Sequence, residues 1–198
     1  MLERTIFTTL PILLCGLACA PARADDAAIR PLQAEAASLT AEYAGRLKTA
    51  LAGAMEAAGP LSALSVCHDA APEIAADISR RSGWSVARTS LKPRNASSAP
   101  DDYERKVMDT FSVRIANGEN AADLISAGVV EQKGRRVFRF VKAISTAANC
   151  LACHGGDIKP ELKRKISELY PDDRATGFKI GDMRGVFTLQ KDLGVDRK

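Results

Sequence analysis

One run of five residues, Cys150-Leu-Ala-Cys153-His154, constrains this chain more than any other feature. C-x-x-C-H is the attachment sequence of a c-type haem. Two thiols three positions apart each form a thioether to one vinyl group, and the histidine that follows is held where its imidazole reaches the iron as the proximal ligand. The pattern therefore implies one covalent haem c, bound through Cys150 and Cys153 and ligated by His154. A zinc half-site would need two more Cys or His ligands, and outside the motif the mature chain offers only Cys67 and His68. A thioredoxin-type dithiol would sit near a βαβ pattern, which is not evident.

The N-terminus agrees with that cofactor. Met1 to Ala24 reads as a secretory signal: Arg4 in a short n-region, an apolar run from Ile6 to Ala20, and Ala22-Arg23-Ala24 as an A-x-A cleavage site. The run is too short for an ordinary membrane span. Cys19 marks a weaker alternative, a lipoprotein site, but the usual leucine three residues before the cysteine is missing. Cleavage after Ala24 leaves residues 25–198 as a single exported haem-binding domain in the periplasm, with no further membrane insertion expected.

Signal removal also takes Cys15 and Cys19 from the five cysteines. Haem claims two of the remaining three, which leaves Cys67 without a disulfide partner in an oxidising compartment. Such a thiol is either a small buried apolar residue or a thiolate ligand to the iron, and the residues alone leave both open. Charge says less. The formal net charge of +4 becomes +3 once Glu3, Arg4 and Arg23 are removed, and no basic stripe interleaved with aromatics argues for nucleic acid.

Periodicity predicts a long amphipathic helix over Pro31–Ala58, with Leu32, Ala36, Leu39, Tyr43, Leu47, Leu51 and Met55 on one face and Gly59-Pro60 as its end. Met55 looks like a core residue on this face. After a short segment, Leu61 to His68, a second helix has Pro72 in its first turn and stops at Gly83. Trp84–Thr89 alternates as a strand, and Lys92–Pro100 is a loop. A third helix begins at Asp101 with Glu104 completing a capping box and ends at Asn117-Gly118. Arg135–Ile144 is a strand, Pro160 opens a helix ended by Tyr170-Pro171, and Gly185–Gln190 is a final strand. This order predicts an α+β domain with a small antiparallel sheet flanked by helices. A small all-helical cytochrome c is disfavoured, because here the motif lies in the last third of the chain.

Several blocks resemble a known group: Ala63-Leu-Ser-Val-Cys67-His-Asp-Ala-Ala-Pro72, Arg88-Thr-Ser-Leu-Lys92-Pro-Arg94-Asn95, Cys150-Leu-Ala-Cys153-His154-Gly155, Tyr170-Pro171-Asp-Asp-Arg-Ala175-Thr-Gly177 and Gly181-Asp182-Met-Arg184-Gly185. In this order, over roughly Leu32 to Gln190, they resemble a bacterial family of haem c-binding domains of unknown function with a PAS-like α+β fold. Members of that family are stand-alone exported proteins or sensory regions of kinases and chemoreceptors. The resemblance implies that Cys67 is the second axial ligand, opposite His154. A thiolate favours ferric iron, so a low-potential centre is implied. His68 is the rival ligand, followed by Met55, Met108 and Met183. Arg88, Lys92 and Arg94 are candidates for the haem propionates, because a guanidinium fork matches a carboxylate, or they line a solvated loop. Gly155-Gly156 lets the chain turn close to the haem edge.

The function expected is a haem-based redox or ligand sensing module that acts through a signalling partner in the periplasm. The alternative is a periplasmic low-potential electron-transfer cytochrome with a redox partner. No peroxidase-like distal histidine is evident, so no enzyme activity is expected.

Overall fold

The computed structural model of this protein describes residues 24–195. The export signal, its cleavage site up to Arg23 and the lipoprotein alternative at Cys19 lie outside the described residues.

Helix α1 (Ala24–Ser65) runs through a break at Ala58-Gly59, where Gly59 takes φ 73°. The glycine ends the first helical stretch where Gly59-Pro60 predicts it. Pro60 then opens a second stretch rather than a loop, as befits a residue whose missing N–H costs nothing in a first turn. A single wide turn, Val66–Ala70, joins α1 to α2 (Ala71–Ser82). Gly83, at φ 72°, closes α2 in the left-handed conformation that glycine accepts without strain. The helical run Ile29–Ser82 contains an 18-residue window of mean hydropathy 1.3, long and apolar enough by composition to cross a membrane. The sequence predicts no membrane segment after the signal, and this window meets the test by length and composition only.

Four strands follow: β1 (Ser85–Thr89), β2 (Ile125–Gln132), β3 (Arg135–Ser145) and β4 (Met183–Gly194). They form one antiparallel sheet in the order β1-β4-β3-β2. Strand β2 is an addition to the sequence reading. Its hairpin with β3 turns on Lys133 and Gly134, both at positive φ, the two-residue geometry that matches strand twist. Helix α3 (Asp102–Ala116) starts with the expected capping box: the Glu104 amide donates to Asp101 Oδ1 at 2.7 Å, and the Asp101 amide donates to Glu104 Oε2 at 3.0 Å.

Alternation along the strands sends side chains to two helical layers. Phe138 and Phe140 of β3, with Phe187 and Leu189 of β4, pack against Ala36 and Tyr43 of α1 and Ile74, Ala75 and Ile78 of α2. Val141, Ala143 and Val186 face the other way, onto Met108 and Phe111 of α3. Burial of each Phe, Leu, Ile, Val or Met side chain among them contributes about 1.5–3 kcal/mol. On the α3 side Arg139, 1% exposed, is held by Asp101 at 2.8 Å and Glu104 at 3.1 Å. The fold is α+β with a four-stranded antiparallel sheet and a long N-terminal helix, as expected.

A third cluster lies off the sheet. Helices α4 (Leu151–His154) and α5 (Pro160–Leu169) bring Cys153, Leu162, Ile166 and Tyr170 against Leu64 at the end of α1. It sets the Cys-x-x-Cys-His run beside the turn that carries Cys67.

Met55 corrects the sequence reading: it is 37% exposed, not core. Periodicity identifies the face of a helix, but around Met55 no opposing layer covers that face.

Candidate functional site

Cys67 lies in the wide Val66–Ala70 turn, closed by the Ala71 amide donating to the Val66 carbonyl. Wide turns of this kind are frequent at functional sites. Cys150 ends the short turn Ala148–Cys150, and Cys153 and His154 occupy α4. All three thiols are free and half-buried. Cys67 is within electrostatic reach of Cys153, Tyr170 and Arg184. Residues 67 and 153, remote in sequence, thus share one site.

The imidazole of His154 is fixed by three neighbours. Its Nδ1 lies 2.8 Å from the Ala175 carbonyl oxygen. Donation of an N–H there leaves Nε2 as the free nitrogen, the usual way an outer carbonyl orients a ligating histidine. Phe178 meets the ring edge-on, with centroids 6.3 Å apart. Arg184 Nε approaches the same Nδ1 at 3.2 Å. Burial, then the charges of Arg184 and Arg94, push the His154 pKa down to about 3, so the ring is neutral and able to ligate.

The segment between α5 and β4 clamps the motif's backbone. The Phe178 amide donates to the His154 carbonyl and the Gly177 amide to the Gly155 carbonyl, both at 2.9 Å. Gly155 fits because it lacks a Cβ, which would stand 2.6 Å from the Leu151 carbonyl oxygen; Gly156 has open space. Arg94, buried, donates to the carbonyls of Cys153 and Ala175 and pairs with Asp173 at 3.2 Å.

The other predicted residues are placed as follows. Arg88 donates through Nε to the Tyr43 hydroxyl at 3.1 Å, and its charge is felt at His154 and Arg184. Lys92 donates to the Thr176 carbonyl and sits 4.7 Å above the Phe178 ring. His68 is exposed, pairs with Asp69 at 2.5 Å and lies 5.5 Å from the Tyr170 ring. Met108 and Met183 belong to the α3 cluster. A cavity of about 130 Å³ opens between His68, Arg94 and Tyr170. A larger one of about 290 Å³, between α3 and the Gly177–Gly185 segment, is not lined by the motif.

Four contributors had no role in the sequence reading: Asp173, Ala175, Phe178 and Arg184. All but Phe178 stand in the quoted blocks Tyr170–Gly177 and Gly181–Gly185, which is the signal that could have found them. Burial, then the charges of Arg94 and Arg88, bring the Arg184 pKa down to about 10, and burial followed by the Cys67 charge brings that of Tyr170 up to about 12.

These residues fit a haem. Two half-buried thiols and a neutral imidazole suit thioether attachment and ligation. Of the charges at the centre, three guanidinium groups (Arg88, Arg94, Arg184) face one carboxylate, Asp173. The guanidinium groups outnumber that carboxylate, an excess of positive charge that suits anionic propionates.

No curated protein matches this chain. A solved structure, the crystal structure of the cyanobacterial heme-protein Tll0287, shares its fold, with a TM-score of 0.58 and 24% identity over 82% of this chain and 98% of that one. The model of the Tll0287-like family matches residues 24–190, nearly all that the structure describes, and the chain belongs to that family.

Proposed function

We propose that this protein acts in the periplasm as a redox- or ligand-sensing module that would hold one haem c covalently through Cys150 and Cys153, with His154 and Cys67 to ligate its iron. The observation that carries the reading is the convergence of Cys67 on the motif, where the Ala175 carbonyl turns His154 so that Nε2 is left free. The relative's description as a heme-protein supports it. When bound, haem supplies one-electron redox chemistry, and a thiolate ligand favours its ferric form.

The chain's own residues orient and hold. Ala175 fixes the imidazole, the Val66–Ala70 turn presents Cys67, and Arg94 with Asp173 keeps the Cys153 carbonyl in place. His68, paired with Asp69, is the weaker candidate ligand. We assign the site no catalytic group. Its output passes to a separate signalling protein; electron transfer to a redox partner is the competing outcome.

Protein matured with cytochrome c assembly machinery should keep its haem through acid–acetone extraction, and Cys150→Ala with Cys153→Ala should lose it. Freely extracted haem from the unmutated protein would sink this reading. Cys67→Ala should keep covalent haem, shift the ferric spectrum towards high spin and raise the reduction potential. An unchanged spectrum would make Cys67 a packing residue. To separate sensing from electron transfer, a candidate partner is titrated with ferric and ferrous protein. A tenfold difference in affinity, about 1.4 kcal/mol, supports sensing, whereas equal affinity with rapid partner reduction supports a carrier.

A further inference from the structure

We infer that Arg184 is the residue that grips a haem propionate, and that this grip frees His154 Nδ1 to donate to Ala175. The inference rests on the haem reading above and adds a residue outside the propionate set Arg88, Lys92 and Arg94 expected from the sequence.

It starts from a hydrogen-bond count. His154 Nδ1 has two neighbours, the Ala175 carbonyl oxygen at 2.8 Å and Arg184 Nε at 3.2 Å. One accepts and the other donates, and a ring nitrogen either carries a proton or offers a lone pair, never both. When Nε2 is given to iron, Nδ1 carries the proton and turns it to Ala175. The Arg184 Nε–H is then left facing a donor and needs another acceptor.

Arg184 is also built into place. Its Nη1 donates to Ser90 Oγ at 3.2 Å and to the Lys92 carbonyl at 3.4 Å, while the Ser90 hydroxyl donates back to the Arg184 carbonyl at 2.8 Å. The guanidinium lies 5.3 Å from the Phe178 ring centre. No carboxylate among the described residues lies within ion-pair distance of it, whereas Arg94 has Asp173. Arg94 is already occupied by Asp173 and two carbonyls, and Arg88 Nε by Tyr43. Arg88 and Lys92 also lack a carboxylate partner, but neither has a donor aimed at His154 Nδ1; Arg184 is the cation whose Nε–H loses its acceptor when that nitrogen carries the proton. An anionic carboxylate that arrives with the metal satisfies that donor, with the fork geometry that favours arginine.

The test compares Arg184→Met, Arg184→Lys and Arg88→Met in the mature protein, reading covalent haem, reduction potential and the propionate-bending band in resonance Raman. Loss of a cation beside the propionate destabilises the reduced, less positive centre. Arg184→Met should therefore keep covalent haem, lower the potential and shift the propionate band. Arg184→Lys should restore most of the potential but not the band, and Arg88→Met should change both less. Native potential and band in Arg184→Met would overturn the assignment, as would a larger effect from Arg88→Met. If Arg184→Met does not mature, Arg184→Lys decides: a shifted band at near-native potential supports the grip, and a native band overturns it. Failure of the haem reading itself would appear separately, as loss of covalent haem from the unmutated protein.

Discussion

The carbonyl of Ala175 sits twenty-one residues from the imidazole it orients, so no local pattern around Cys150–His154 announces it. The proposal of attachment and proximal ligation was legible because C-x-x-C-H packs its chemistry into five positions. The supports of His154 were not, because each is a contact between distant segments. Two outcomes follow at single residues. Gly155→Ala places a methyl group 2.6 Å from the Leu151 carbonyl oxygen. The motif helix must shift, at a cost of about 1–3 kcal/mol, measured as a lower denaturant midpoint, and the yield of attached haem should fall. Gly156→Ala, with open space, is the control.

The second outcome concerns acid. In haem-free protein His154 holds off protonation until about pH 3, whereas in the unfolded chain it titrates near 6.5. Between those values the unfolded state binds more protons, so stability rises with pH there and is lost as pH falls from about 6.5 towards 3. Thermal unfolding of the Cys150→Ala, Cys153→Ala protein across this window should show that loss, and adding His154→Gln should flatten it. Equal slopes in the two proteins would refute the burial argument.

Among the elements, caps and breakers were the most readable. Gly59, Gly83, Asp101 with Glu104, and Pro160 each stand where a helix ends or begins. Strand β2 was not readable: Ile125–Gln132 contains Gly128 and is half-buried along most of its length, so neither clean alternation nor a continuous apolar run marks it. Its turn uses Lys133-Gly134 rather than Asn-Gly. The capping box also hid a second duty. Glu104 Oε1 accepts from Arg139 at 3.1 Å and from the Thr188 hydroxyl at 2.7 Å, which ties the start of α3 to β3 and β4. Glu104→Ala should cost about 3–5 kcal/mol, because it strips a buried guanidinium of one partner. Arg139→Met in the same background should recover part of that loss. Urea unfolding of the two variants measures both effects.

For the whole molecule, the sheet order β1-β4-β3-β2 has a consequence in time. The last strand, Met183–Gly194, is an interior one: it pairs with β1 on one side and β3 on the other. Before residues 186–190 of β4 are available, β1 has no neighbour in the sheet and the core of Phe187 and Leu189 against α1 is missing. Arg184, Phe178 and the amides that clamp His154 and Gly155 lie within or just before the same late stretch. An emerging chain therefore passes through a long interval in which its cysteines have been delivered but cannot yet be shut in, and any enzyme that modifies them has that interval in which to work. Truncation ahead of β4 would not trim the protein but hold it open, and a pulse of newly made chain should be most accessible to thiol-directed reagents just before β4 appears.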